Sequence, residues 1–303
     1  MIFANRAFRR TLCSALAMSA LAMSALAACE RQQTERPAGV DDFGDTVLVG
    51  RPPERIVSLG PATTEILFAL GAGPRVVGRS QFDNFPDSAR LVPSLGLSIG
   101  PNVEAVLGTR PDLVVLYASG SNRAAAKRLR AAGVNTLTLK LDLIADFRRA
   151  TTMLGAIIGD SARAKTVIDS VDGTLERVRR ATIGLPRPTV FWHIWDAPLI
   201  TIGAGSFMND LVEIAGARNV YADIPGPSEA ISFEDVARRN PDFILAGPIG
   251  AAAIAKDPRW KIIAASRENR VLVVDTVLVA LPSVRLGAAA VSLANILHAG
   301  AVR

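Results

Sequence analysis

The chain of 303 residues is long enough for one large domain or two lobes of ordinary size, and half of it is hydrophobic with only 5% aromatic. That is a well-stocked aliphatic core, not a disordered or fibrous composition. The formal net charge is +6, but the first 28 residues hold Arg6, Arg9 and Arg10 and no acid, and without them it is +3; so small and scattered an excess argues against a nucleic-acid partner.

The N-terminus carries the first signal. After the three arginines comes "TLCSALAMSALAMSALAA", an apolar run that ends in Leu-Ala-Ala before Cys29. A basic start, a short apolar core and small residues before a cut site predict an export signal over residues 1–28, not a spanning helix. A cysteine directly after Leu-Ala-Ala resembles the bacterial lipoprotein cleavage box, in which the cysteine becomes the new N-terminus and carries lipid. The plainer alternative is an ordinary signal peptide with a chance cysteine. With Cys13 removed and Cys29 lipidated, the mature domain keeps no thiol for a disulfide, a zinc-thiolate site or a nucleophile. No later run is apolar and charge-free enough to span a bilayer. Residues 29–45, with the irregular polar "ERQQTERPAG" from Glu30 to Gly39, read as a flexible tether.

From Arg55 onward strand signals alternate with helix signals. "RIVSL" (Arg55 to Leu59) runs into "PATTEILFALGAG", where Thr63 or Thr64 can cap a helix that stops at Gly71. "RVVG" at Arg75 is a short strand, and "DLVVLY" (Asp112 to Tyr117) is the continuous apolar run of a buried parallel strand. "SNRAAAKRLRAAG" predicts a helix capped by Ser121 and ended by Gly133, with the strand "VNTLTL" after it. From Asp160, apolar residues at Ala164, Val167, Ile168, Val171, Leu175 and Val178 recur at helical spacing until "GLPRP" at Gly184. Asp160 or Ser161 is the N-cap candidate. A helix of about 22 residues is roughly 33 Å long, the span of a small domain. The alternation then restarts through "PTVFWHI", "PLITIG", "FMNDLVEIAG", "SFEDVARRNPDFILAG" and "RVLVVD", with a last helix from about Val284. The expected fold class is α/β: two open, mostly parallel-sheet lobes, 46–159 and 184–303, joined by one long helix over 160–183.

One segment occurs twice. "NVEAVLGTRPDLVV" from Asn102 and "SFEDVARRNPDFIL" from Ser232 align Glu104 with Glu234, Val106 with Val236, Pro111 with Pro241 and Asp112 with Asp242. In each copy a glutamate sits near a helix N-terminus, where the helix dipole favours a carboxylate. Two equivalent lobes thus carry two equivalent glutamates, either as docking groups or as plain N-terminal helix charges.

These segments, with "RIVSLGPATTEILFALGAG", "PLITIGAGSFMNDLVEIAGARNV" and "DPRWKIIAASRENRVLVVD", resemble in their order the periplasmic cobalamin and iron-siderophore binding proteins that feed ABC importers. The match runs from about Arg55 to His298. The resemblance implies a class III periplasmic binding protein, a monomer with no resident cofactor and no catalysis. Its rigid helix would join two lobes that hold a metal chelate between them. It further implies a permease and an ATPase as partners, Glu104 and Glu234 as the permease-docking residues, and a periplasmic location with a lipid anchor on Cys29. By position, Phe82 in "SQFDNFP", Tyr117, and Trp195 with His193 just before it would line the ligand cleft, and aromatic faces suit a large flat macrocycle. Trp260 is read as core. Trp192 is open, because alternation along a strand would turn only one of Trp192 and His193 inward.

The sequence departs from the cobalamin pattern at Ser98 and Ser228, where enteric cobalamin binders carry tryptophan, and in the less polar "DTVLVALPSVR". Cobalamin is the leading ligand. A ferric siderophore would want inward arginines, for which Arg79 or Arg285 could serve; haem would want an axial ligand from His193, Tyr117 or Tyr221. A free zinc or manganese receptor needs clustered ligands, and the mature chain has only His193 and His298. "GAGPRVVG" lacks dinucleotide-binding spacing and "GAGSFMND" lacks nucleophile-elbow spacing. Outside the binding-protein class, a carboxylate-based periplasmic hydrolase is the remaining alternative.

Overall fold

The computed structural model describes residues 36–302; the expected export signal, Cys29 and the first part of the expected tether lie outside them. Strands β1 (Arg36–Val40) and β2 (Thr46–Val49) pair in a small sheet. There follow β3 (Ile56–Leu59), α1 (Pro61–Ala69), β4 (Val76–Arg79), α2 (Val103–Gly108), β5 (Leu113–Tyr117), α3 (Arg123–Ala131), β6 (Asn135–Leu139) and α4 (Ile144–Ile158). The long helix α5 (Ser161–Thr182) leads to β7 (Thr189–His193), β8 (Trp195–Asp196), β9 (Leu199–Ile202), α6 (Phe207–Ile214), β10 (Arg218–Asn219), β11 (Ser228–Ala230) and α7 (Phe233–Arg239). The chain closes with β12 (Phe243–Ala246), α8 (Pro248–Lys256), α9 (Ala264–Arg267), β13 (Val271–Val273), α10 (Thr276–Val279) and α11 (Leu286–Leu297).

Each half builds one four-stranded sheet, β4-β3-β5-β6 and β10-β7-β12-β13. Every neighbouring pair in both is parallel. Counted within its own half, with the antiparallel sheet β11-β9-β8 set aside, each has the order 2-1-3-4. Both central strands are covered on two faces, so they read as unbroken apolar runs. The same covering buries both Trp192 and His193, at 2% and 4% exposure, so one-sided alternation does not apply to β7. Trp260 is buried beside them, stacked on Phe191 with ring centroids 6.0 Å apart.

Both copies of the repeat form the same structure. Asn102 and Ser232 cap α2 and α7 through their side chains, accepting from Ala105 N and Asp235 N, each at 3.1 Å. Val106 and Val236 are fully buried beneath. The residues before the two prolines, Arg110 and Asn240, take left-handed conformations at φ 50° and 42°, the conformation that commonly ends a helix. Asp112 then accepts from Glu54 N at 2.7 Å and Arg55 N at 2.9 Å. Asp242 accepts from Thr189 N at 2.8 Å and Thr189 Oγ1 at 2.7 Å. Each aspartate pins the start of its own strand to the start of the neighbouring first strand, which fixes the parallel register. The backbone N–H and hydroxyl of Thr189 hold Asp242 below the usual carboxylate value.

Helix α5 runs 22 residues, capped by Asp160, whose carboxylate accepts from Arg163 N at 2.9 Å. Its buried face is Ala164, Val171, Leu175 and Val178, and it packs along α4 and α11. Close approach demands glycine on each partner. A Cβ on Gly155 would collide with that of Ala164, and one on Gly287 would lie 2.8 Å from Thr174 Cγ2.

Several expected boundaries move. Helix α1 starts at Pro61 with Gly60 as its cap; Thr63 and Thr64 sit inside it and bond to Ser58 Oγ at 2.9 and 2.8 Å. A 3-10 turn over Gly120–Asn122 precedes α3, so Ser121 does not cap it. The expected tether over residues 29–45 does not hold from residue 36 onward, because β1 and the turn after it are fastened to the first half. Asp41, 4% exposed, accepts from Thr138 Oγ1 at 2.5 Å and Arg130 Nη2 at 2.6 Å. Burial pushes its carboxyl up, but the bonds from Thr138, Asp45 and Phe43 outweigh burial and the net shift is downward.

Candidate ligand-binding mouth

In a parallel sheet of order 2-1-3-4 the connections leave the first and third strands toward opposite faces. A crevice opens at the carboxyl ends of those two strands, where open α/β sheets bind ligands. In the first half the crevice lies between the ends of β3 and β5, at Gly60 and Tyr117. In the second it lies between the ends of β7 and β12, at Ile194 and Gly247. Large apolar side chains in the segments that follow the strands are exposed: Phe82 and Phe85 after β4, Ile194 and Trp195 after β7, Ile249 after β12 and Val277 after β13. An isolated exposed apolar residue is ordinary; here exposed apolar residues follow strands of both sheets.

The two sets of strand ends touch at two places. Arg285, after α10, donates to Glu65 of α1 through Nε (3.0 Å to Oε2) and Nη2 (2.5 Å to Oε1), and its guanidinium carbon lies 4.6 Å from the Phe85 ring centre. Beyond the end of β6, Phe207 N donates to Asp142 O at 2.7 Å.

Of the residues chosen from sequence, Phe82 and Trp195 are open to solvent at 55% and 62%, and the indole Nε1 of Trp195 donates to Ala197 O at 3.2 Å. Tyr117 is half-buried and its hydroxyl donates to Asp142 Oδ1 at 2.7 Å; burial first, and that carboxylate second, push the phenol well above its ordinary value. His193 is turned into the core against Phe191 and Trp260, with Nε2 2.8 Å from Asp196 Oδ1. Arg285 is committed to Glu65. Tyr221 is fully buried under the Arg239 guanidinium, 4.3 Å from its ring centre. Arg79 donates to the carbonyls of Val92 at 2.9 Å and Ser80 at 2.8 Å. Phe85, Ile194, Ile249 and Val277 were not singled out from sequence; their place in the segments that follow strands was the available signal.

The loop that carries Phe82 and Phe85 is held from beneath. Asp83, 1% exposed, accepts from Ser80 Oγ and from Thr64 Oγ1, the latter at 2.6 Å. Burial raises its pKa in spite of those bonds.

Glu104 and Glu234 both occupy the second position of their helices and are exposed. Glu104 meets Arg128 Nη2 at 2.7 Å, with both side chains mostly in solvent. A separate groove of about 760 Å³ follows α5 past the start of α4 and along α6. Its charges are largely paired with one another, Arg148 with Asp172 and Arg187 with Glu213, and none of the residues picked from sequence lines it. Among the described residues no cluster of His, Cys, Asp and Glu could hold a metal ion, and no helix is long and apolar enough to cross a membrane.

Residues 56–278 match the model of the periplasmic binding protein family. The chain belongs to that family. It is 30% identical over 266 residues to the uncharacterized ABC transporter substrate-binding lipoprotein YvrC of Bacillus subtilis strain 168, covering 84% of each chain. It is 24% identical over 213 residues to the vitamin B12-binding protein of Vibrio vulnificus strain CMCP6, covering 70% of this chain and 77% of that one. Among solved structures it resembles the periplasmic heme-binding protein RhuT of Roseiflexus sp. RS-1, with a TM-score of 0.73 and 24% identity over 82% of this chain and 99% of that one. As a periplasmic binding protein, the chain is an extracytoplasmic binder and not an enzyme.

Proposed function

We propose that this periplasmic binding protein captures a corrinoid, cobalamin or a close relative, in the mouth between its two sheets and delivers it to an ABC permease. The observation that carries this reading is the set of exposed apolar side chains at the strand ends of both halves. Covering such side chains is worth about 1.5–3 kcal/mol each when burial is complete, before the cost of association. The alternatives fit less well. Haem wants an axial donor from the protein. Yet the Tyr117 hydroxyl is bonded to Asp142, His193 faces Asp196 from within the core, and Tyr221 is fully buried. A corrinoid brings its own axial ligands. An anionic siderophore wants arginine forks, and Arg79 and Arg285 are already spent on carbonyls and on Glu65.

Trp195→Ala tests the reading. In a titration with cyanocobalamin it should lose about 1–3 kcal/mol of binding while its melting temperature holds. An unchanged titration removes Trp195 from the site. Stabilisation by haem or a ferric siderophore, with none by cobalamin or cobinamide, replaces the ligand. Two further parts belong to the same reading. Cys29 carries lipid, so Cys29→Ala should shift the protein from membrane to soluble fractions. Glu104 and Glu234 meet basic residues of the permease, where rim charges speed encounter and fix orientation more than they add affinity.

A further inference from the structure

We propose that Arg285 is a positioning residue for the mouth: it holds the Phe85 ring and helix α10 at Val277 in place for the ligand without touching the ligand itself. The inference rests on the mouth being the ligand site proposed above. A guanidinium is a rigid planar fork with donors on three sides and two open faces, and Arg285 uses nearly all of it. Nε and Nη2 grip Glu65 in the first half, at 3.0 and 2.5 Å. Nη1 donates to Val277 O in the second half at 2.8 Å. One face lies against the Phe85 ring. Glu65 is itself fixed by Ser283 Oγ at 2.5 Å. The Glu65 side chain is 2% exposed and that of Arg285 14%, so water does not loosen the arrangement. One side chain therefore sets Phe85, from the first half, relative to Val277, from the second, and both are exposed apolar residues.

Lysine at this position keeps the charge and one bond to Glu65 but loses the fork and the flat face. It therefore separates positioning from folding. Arg285→Lys should speed cyanocobalamin dissociation about tenfold, the size of effect typical for coupled neighbours, and leave the association rate within about threefold. Phe85→Ala should do the same. The double variant should lose less than the sum of the two single losses, because part of what Arg285 does passes through that ring. Glu65→Gln, which removes the anchor at the other end, should reproduce the Arg285→Lys result. Additive losses in the Phe85–Arg285 pair, or a fall in melting temperature with unchanged dissociation, overturn the proposal. Failure of the wild-type protein to bind cyanocobalamin or cobinamide would instead overturn the function proposed above. The positioning role is then decided without ligand, by amide hydrogen exchange at Ala89, bonded to Pro86 O in the turn after Phe85, and at Val279, bonded to Asp275 O in α10. Faster exchange at both in Arg285→Lys supports it, and unchanged exchange at both overturns it.

Discussion

The two halves share a scaffold and differ in what they mount on it. Both have the strand order 2-1-3-4, a capped short helix with glutamate at its second position, a left-handed residue before proline, and an aspartate that pins the next strand. At the strand ends the likeness stops. The first half presents a loop with Phe82 and Phe85, tied down by the buried Asp83. The second presents Trp195 on a short antiparallel sheet, which has no counterpart in the first. The repeated positions solve a folding problem that both halves have, namely register and helix entry. The unrepeated positions supply the residues of the proposed mouth. Glu104 and Glu234 are the exception, being repeated and yet exposed, so packing does not account for them.

The comparison can be broken at its centre. Val115 and Leu245 hold the same place in the two middle strands and are both fully buried. Leu245→Ala should cost about 2–5 kcal/mol in chemical denaturation, and Val115→Ala less, in proportion to the smaller cavity. A loss near zero for either would mean that its sheet is not the rigid core described here.

The pinning aspartates come next. Asp112→Ala and Asp242→Ala should each cost about 1–3 kcal/mol, since each strips two donors of their acceptor. The second carries a pH signature. The folded pKa of Asp242 lies below the ordinary 3.8, so its stabilising contribution is present above that value and is lost as pH falls through the folded one. The gap between wild type and Asp242→Asn should therefore be full at pH 7 and shrink below about pH 4. A gap that stays constant into acid would remove the carboxylate from the register argument.

Much of the scaffold was legible in the sequence because it rests on local rules. Continuous apolar runs marked β5 and β12, Asp160 marked the start of the long helix, and the repeat placed the glutamates on matching helices. The mouth was only half legible. Phe82 and Trp195 are exposed near strand ends, as their loop positions suggested. Arg285 was read as a ligand-binding residue, whereas its guanidinium is taken up by Glu65, which lies 220 positions away and which no spacing rule links to it. His193 was misjudged for a related reason: burial of β7 on both faces depends on elements distant in sequence. The folded stretch around Asp41 escaped notice because its polar composition looks like a tether, while its bonds to Thr138 span 97 positions.

The smallest stability effect belongs to the repeated glutamates. Glu104→Ala with Glu234→Ala should change folding stability by less than about 1 kcal/mol, since exposed ion pairs stabilise little. It should nonetheless reduce uptake and ligand-stimulated ATP hydrolysis by the reconstituted transporter, more at low salt than at high salt. Equal transport by the double variant and wild type would return both residues to the status of helix-end charges.

The comparison of the halves is tested most directly by hydrogen exchange with and without cobinamide. Protection is expected in both halves at once, over residues 81–89 in the first and over 194–199 and 249–254 in the second, with the groove along α5 unchanged. Protection confined to one half, or appearing along the groove instead, would contradict a mouth shared by the two sheets.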